Sequence, residues 1–155
     1  MIRRPPRSTH CISSAASDVY KRQGLRRDGR ETAVQFLFSK DIKNDSHSED
    51  LDNFFSISTA KKGAKKFALE LVNGIIEKIE KIDEIIQSNV DNFEINRLST
   101  IDRNVLRLAI YEMYYRDDIP AAVCINEAIE ISKRFGTEES GSFVNGVLDK
   151  VKENI

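Results

Sequence analysis

The apolar residues of this 155-residue chain recur three or four positions apart over most of its length. Such spacing places them on one face of an α-helix. One stripe of this kind consists of Phe67, Leu71, Ile75 and Ile79. Only 7 Gly and 3 Pro interrupt the chain, and Ile, Leu, Glu and Lys are abundant, which favours helices over strands. The pattern therefore predicts an all-α protein.

Start and stop signals divide the pattern into segments. Ser99 is a candidate N-cap, Pro120 fits a first helical turn, and Gly136 fits a C-terminal cap. Gly74 lies inside a helical stripe, which indicates a close helix approach or a bend. The predicted helices cover about 28–42, 59–89 with a break near Lys81–Ile82, 100–115, 120–135 and 139–153. With one possible turn in 91–98, this makes six to seven helices, and short connections imply antiparallel neighbours.

Residues 1–23 have neither a helical period nor strand alternation. They are basic and rich in Ser, as targeting peptides are, but they lack the apolar core of a secretory signal. The segment also resembles translated sequencing-adapter DNA joined to a genuine reading frame. We therefore expect residues 1–23 to be a non-native or disordered tail and residues 24–155 to be one folded domain.

The charge is unevenly distributed. The first 23 residues carry five basic side chains and one acidic side chain, whereas the whole chain has a formal net charge of −1. The remainder therefore carries −5, which argues against a general nucleic-acid binder, because non-specific affinity comes from neutralising phosphates. Any RNA site must be a local basic patch.

Catalytic and metal-binding signals are absent from the sequence. Cys11, Cys124, His10 and His47 do not have the spacing of metal ligands, and there is no P-loop, GxGxxG or GxSxG motif. No apolar run is long enough to span a membrane. We expect a cytoplasmic protein with no cofactor, no metal and no disulfide, and we do not expect an enzyme. The carboxylates near Glu127 are interpreted as a solvated helix face.

A basic cluster stands out against the acidic body. Arg26, Arg27 and Arg30 lie at the start of the first predicted helix, where arginine forks and helix amide groups both suit phosphate. A solubilising helix start is the alternative interpretation. Lys133 and Arg134 fall in the last turn of a helix, where complementing the helix dipole explains them as well as ligand contact does.

Four segments carry a resemblance to a known family. They are Arg26–Phe38, Glu70–Ile75, Asp102–Met113 and Ile119–Lys150, and the last contains the specific run INEAIE followed by FVNGVLD. In order and approximate spacing they resemble the NusB family of bacterial transcription antitermination factors. The resemblance covers essentially everything from Arg26 to Lys150.

The resemblance implies a fold of two packed three-helix bundles. It implies pairing with the small-subunit ribosomal protein that doubles as NusE. The pair would bind the single-stranded boxA element of nascent RNA, mainly in ribosomal RNA leaders. Within the antitermination complex of RNA polymerase, this would help elongation pass terminators, with no reaction catalysed.

Residue roles follow from the same resemblance. The first side of the implied RNA surface comprises Arg26, Arg27, Arg30 and Gln35. Phe143, with Glu139 and Ser140 from the preceding loop, matches the other side. Phe38 and Asp102 match positions implicated in the interface with the protein partner.

Three positions depart from the family pattern. Phe38 stands where we expect tyrosine, which removes a hydroxyl contact. Asp102 stands where we expect glutamate, which keeps the charge but shortens its reach. Asp28 stands where a third consecutive arginine is expected, which weakens the basic patch.

Alternatives remain open at this point. A NusB-like domain also forms the N-terminal part of ribosomal RNA cytosine methyltransferases, so a truncated enzyme is one. A helical module that binds only proteins is another. Some family members form homodimers that would cover the RNA surface.

Overall fold

The fold consists of helices joined by short connections. The computed structural model describes residues 24–40, 61–90 and 94–155, and within these ranges there are six α-helices, one 3-10 turn and no strand. The helices are α1 (24–40), α2 (Lys62–Glu77), α3 (Ile79–Asn89), α4 (Thr100–Tyr115), α5 (Ala121–Phe135) and α6 (Glu138–Glu153). The 3-10 turn is Ile95–Arg97. The all-α prediction is confirmed; the predicted tail 1–23 and the polar segment 43–53 lie outside the described residues.

Local capping explains where the later helices begin. The Ser99 hydroxyl accepts a hydrogen bond from the Asp102 amide at 3.1 Å, so the predicted N-cap of α4 is confirmed. Pro120 occupies the N-cap of α5, one position before its first turn. The break predicted near Lys81–Ile82 falls earlier, at Lys78.

Gly136 ends α5 in a different way from the one predicted. Its backbone has φ −114° and ψ −145°, which is not the left-handed conformation of a glycine cap. A Cβ there would lie 2.7 Å from Ser140 Oγ and 2.9 Å from the Ser132 carbonyl oxygen. The close approach of α5 and α6, rather than a positive φ, therefore requires glycine at this position.

The central helix is α4, which contacts α2, α3, α5 and α6. Its apolar face is fully buried at Val105, Leu106 and Ile110. Helices α4, α5 and α6 contact one another pairwise and form one three-helix bundle, against which α2 and α3 pack. No described helix is both long enough and apolar enough to cross a membrane.

Gly74 allows α2 and α4 to approach each other closely. The space that a Cβ of Gly74 would take is filled by the ring of Tyr111 from α4. Of the two explanations that the sequence suggested, the close helix approach is thus the one observed. By contrast, a Cβ on Gly146 in α6 would meet nothing within 4 Å.

These two glycines predict opposite effects of the same substitution. Gly146→Ala should raise the free energy of unfolding by about 0.5–1 kcal/mol, because alanine is the better helix former. Gly74→Ala should lower it by about 1–3 kcal/mol, because Tyr111 must leave its packed position. Urea denaturation followed by circular dichroism measures both. A stabilising Gly74→Ala would contradict the close approach.

Candidate nucleic-acid interface

The arginine cluster lies within the helical residues of α1. The helix already includes residue 24, whereas the sequence pattern predicted a start at Asp28. The side chains of Arg26 and Arg30 are four residues apart and share one face, and Arg27 points to a neighbouring direction. The arginines are therefore presented on the surface of a helix.

Arg30 is buried, whereas the sequence placed it with the arginines expected to contact RNA. Its side chain is 3% exposed and pairs with Glu112 of α4, which is 1% exposed. Nε donates to Glu112 Oε1 at 2.9 Å and Nη2 donates to Oε2 at 2.8 Å. Burial raises the pKa of Glu112, and the Arg30 fork opposes that shift. No guanidinium surface is left for RNA, so Arg30 joins α1 to α4.

Phe67 of α2 supports this end of α1. The guanidinium carbons of Arg26, Arg30 and Arg116 lie 5.4, 5.5 and 5.3 Å from its ring centroid, within the range of cation–π attraction. A Cβ on Gly29 would lie 2.8 Å from Phe67 Cδ2, so the backbone of α1 packs directly against the ring. The sequence stripe placed Phe67 in the core but did not indicate its three cationic neighbours.

Arg26 remains partly exposed, at 33% of its side chain, and pairs with Asp118 at 3.1 Å. Asp118 also accepts from Arg116 Nε at 3.2 Å, and this hydrogen bond holds the pKa of the Asp118 carboxyl below its ordinary value. Arg26 thus lies at the edge of an exposed charge network between α1 and the turn after α4.

Arg27 is 48% exposed and pairs with Glu127 of α5. Arg27 Nε and Nη2 donate to the two carboxylate oxygens of Glu127 at 2.8 and 3.2 Å, and this hydrogen bonding raises the pKa of Arg27. Glu127 is only 15% exposed, so it is not the solvated side chain that the sequence predicted. An exposed pair of this kind contributes about 0–1 kcal/mol, and a phosphate can compete with it.

A second ion pair joins the same two helices with the charges reversed, so that α1 supplies the carboxylate and α5 the guanidinium. Glu31 of α1 accepts from Arg134 Nη1 of α5 at 3.0 Å. Arg134 is 63% exposed, and its guanidinium carbon lies 5.6 Å from the Phe135 ring centroid. We call the line formed by Arg27, Glu127, Glu31 and Arg134 the α1–α5 seam. Sequence reasoning gave Arg134 no preferred role, although its position in the last helical turn was predicted correctly.

The expected residues of α6 are divided between surface and interior. Glu139 is exposed in the first turn, and Phe143 is half-buried and packs against the core. Ser140 is 9% exposed. Its hydroxyl accepts a hydrogen bond from the Thr137 amide, and the Thr137 hydroxyl accepts one from the Ser140 amide. This capping box gives Ser140 a structural task, which differs from the expected RNA contact.

The remaining expected residues are on α1 and α4. Gln35 is exposed, and Phe38 is half-exposed near the other end of α1. Asp102 lies in the first turn of α4, and its Oδ1 is buried without a hydrogen-bond donor among the described residues.

Cys124 is buried as the sequence indicated, and burial raises the pKa of its thiol to about 12. In the described ranges no group of three His, Cys, Asp or Glu side chains comes together as a metal site would require.

Known proteins resemble this chain over most of its length. A family model described as the NusB family matches residues 27–153. The transcription antitermination protein NusB of Myxococcus xanthus is 46% identical over 132 residues, which cover 83% of this chain and 94% of that protein. A solved structure of T. maritima NusB superposes with a TM-score of 0.75 at 42% identity and covers 83% of this chain and 90% of its own.

A further solved structure contains antitermination factors NusB and NusE in complex with dsRNA. It superposes with a TM-score of 0.77 at 28% identity and covers 84% of this chain and 98% of that chain.

The buried pair predicts a specific mutational pattern. Glu112→Leu alone should lower the free energy of unfolding by about 3–5 kcal/mol, because Arg30 is left charged and unpaired in the interior. Arg30→Met combined with Glu112→Leu should recover most of that loss. Guanidinium denaturation of the single and double variants tests this, and a double variant as unstable as Glu112→Leu would contradict it.

Proposed function

The chain belongs to the NusB family of transcription antitermination proteins, and we propose that it binds the boxA element of nascent ribosomal RNA together with a NusE-type ribosomal protein. In this proposal the pair joins elongating RNA polymerase in the bacterial cytoplasm and helps it read through terminators. The solved relative that contains NusB and NusE in complex with dsRNA supports a NusE-type partner and RNA as a ligand.

The observation that carries the RNA proposal is the exposed arginine surface of α1. Arg26 and Arg27 present guanidinium groups at 33% and 48% exposure on a body that is otherwise acidic. Because phosphate attraction is local at physiological salt, such a patch can bind RNA even though the rest of the protein repels it. The α1 surface is therefore where we place the RNA backbone.

The other RNA contacts follow from exposure and chemistry. The amide of Gln35 is exposed on α1 and can hydrogen-bond a base edge. The half-buried ring of Phe143 is the aromatic group proposed to stack an unpaired base, and Glu139 is exposed one helical turn before it. Arg30 and Ser140 support the surface from within and are left out of the proposed contact set.

The carboxylates around the arginines explain why a partner is needed. Arg26 is already paired with Asp118, and Arg27 with Glu127. RNA phosphates must therefore displace these carboxylates to bind the two arginines. That exchange yields little net energy in exposed pairs. A basic protein partner would add cations that have no such competitors and would orient the RNA.

We place the NusE-type partner on the surface that contains Phe38 and Asp102. Phe38 offers a half-exposed aromatic ring on α1, and Asp102 offers a carboxylate at the start of α4. Aromatic side chains are frequent anchors at the centre of protein interfaces. A homodimer through the RNA surface is the competing assembly, and it would reduce RNA binding.

The RNA proposal predicts selective binding that depends on the two exposed arginines. The full chain should bind a boxA single strand more tightly than a scrambled strand, and more tightly still with the partner. Arg26→Gln with Arg27→Gln should weaken binding by about tenfold or more and reduce the salt slope by about two units. Fluorescence anisotropy at two salt concentrations measures this.

Lys152→Gln is the matched control, since this exposed lysine lies in the last turn of α6. It should change RNA affinity less than twofold. Equal binding to both strands, or no binding even with the partner, would contradict the proposed function.

The partner proposal predicts that Phe38→Ala weakens binding to the NusE-type protein about tenfold, because an interface anchor is lost. RNA affinity measured without the partner should be unchanged. Val123→Ala is the control, since Val123 is another exposed apolar residue, at 41%. Isothermal titration calorimetry with the NusE-type partner measures the affinity of the unmodified chain and of both variants. Equal losses of affinity in the two variants would argue against this surface.

A further inference from the structure

Arg134 is the most exposed of the arginines that join α1 to its neighbours. Its side chain is 63% exposed, compared with 48% for Arg27 and 33% for Arg26. We propose that Arg134 is a phosphate-binding residue of this chain, in addition to the arginines of α1. This inference rests on the proposed RNA function and extends its site onto α5.

The hydrogen bonds of the guanidinium groups favour Arg134 over Arg27 and Arg30 as a phosphate ligand. Arg27 uses both Nε and Nη2 on Glu127, and Arg30 uses the same two nitrogens on Glu112. Among the described residues, the side-chain hydrogen bond of Arg134 uses Nη1. Unlike that of Arg27 or Arg30, its Nε–Nη2 edge can therefore take a phosphate bidentately without first releasing a carboxylate.

Two contacts hold this guanidinium in place while leaving that edge available. Glu31, whose side chain is only 11% exposed, binds Nη1, and the guanidinium carbon lies over the Phe135 ring, 5.6 Å from its centroid. A side chain that is already positioned loses less conformational entropy when it binds. These contacts preorganise the Arg134 guanidinium for binding an anion.

Arg134 lies between the two parts of the proposed RNA surface, which are the α1 arginines and the region around Phe143. Through Glu31 it lies one helical turn along α1 from Arg27. Along the chain it comes five residues before Glu139 and so adjoins the turn that leads into α6. An RNA strand that runs from the α1 arginines to Phe143 would pass beside Arg134.

A purely structural role is the competing explanation, because Arg134 also pairs with Glu31 and lies at the C-terminal end of the α5 dipole. The two explanations differ in what Glu31→Gln does. If Arg134 serves only the ion pair, Glu31→Gln and Arg134→Gln should have the same effect. If Arg134 binds phosphate, Glu31→Gln leaves the cation in place and RNA affinity is kept or increased.

The test compares variants of the full chain binding a boxA single strand by fluorescence anisotropy at several salt concentrations. Arg134→Gln should weaken binding about five- to tenfold and reduce the salt slope by about one unit. Arg134→Lys should keep the slope and recover part of the affinity, because lysine keeps the charge but lacks the fork.

Lys152→Gln removes one positive charge at the far end of α6, about 20 Å along the helix axis from Glu139. That separation exceeds the Debye length of about 10 Å at 0.1 M salt, so this control should change binding less than twofold. Denaturation midpoints of all variants show whether a loss of binding reflects a loss of folding.

The outcomes separate the two proposals. If the unmodified chain binds the boxA strand selectively and Arg134→Gln binds it equally well, the role of Arg134 is overturned and the proposed function stands. The same holds if Glu31→Gln weakens binding as much as Arg134→Gln does. If the unmodified chain binds neither strand, with or without the partner, both proposals fall.

Discussion

The buried ion pair between Arg30 and Glu112 is the constraint on which the proposed RNA surface depends. Two opposite charges, each at most 3% exposed, must stay paired, because either one alone in the interior is costly. The pair fixes how α1 is rotated against the central helix α4. Once Arg30 points inward, the helical repeat turns Arg27 and Glu31 towards α5 and leaves Gln35 exposed. The buried ion pair thus determines which side chains of α1 lie on the surface.

One short motif therefore serves two physical tasks. Arg30 and Gly29 face the interior, where the first pairs with α4 and the second lets α1 approach Phe67 closely. Arg26 and Arg27 remain on the outside, where their ion pairs are exposed and exchangeable. Exposure decides which arginine can exchange its partner, since an exposed pair contributes about 0–1 kcal/mol and a buried pair is costly to break.

The sequence predicted the helices well because apolar periodicity and capping act locally. It did not predict the burial of Arg30, because all three arginines of the basic cluster were expected to face RNA. A signal was nevertheless present: Ala33, Val34 and Leu37 follow Arg30 at three, four and seven residues, which places Arg30 on the apolar stripe. Glu112 lies in the same way on the stripe of α4. Opposite charges on two inward stripes predict a buried pair.

The pairing of charges across the α1–α5 seam could not be read from periodicity, because it depends on how two distant helices align. Arg27 pairs with Glu127 and Glu31 with Arg134, so each helix contributes one charge of each sign. Such an arrangement gives the seam little net attraction for RNA at long range. The proposed RNA binding would then rest on short-range contacts between guanidinium edges and phosphates, in which geometry matters more than total charge. An acidic protein can therefore recognise RNA selectively, because a phosphate gains only where a guanidinium edge faces it directly.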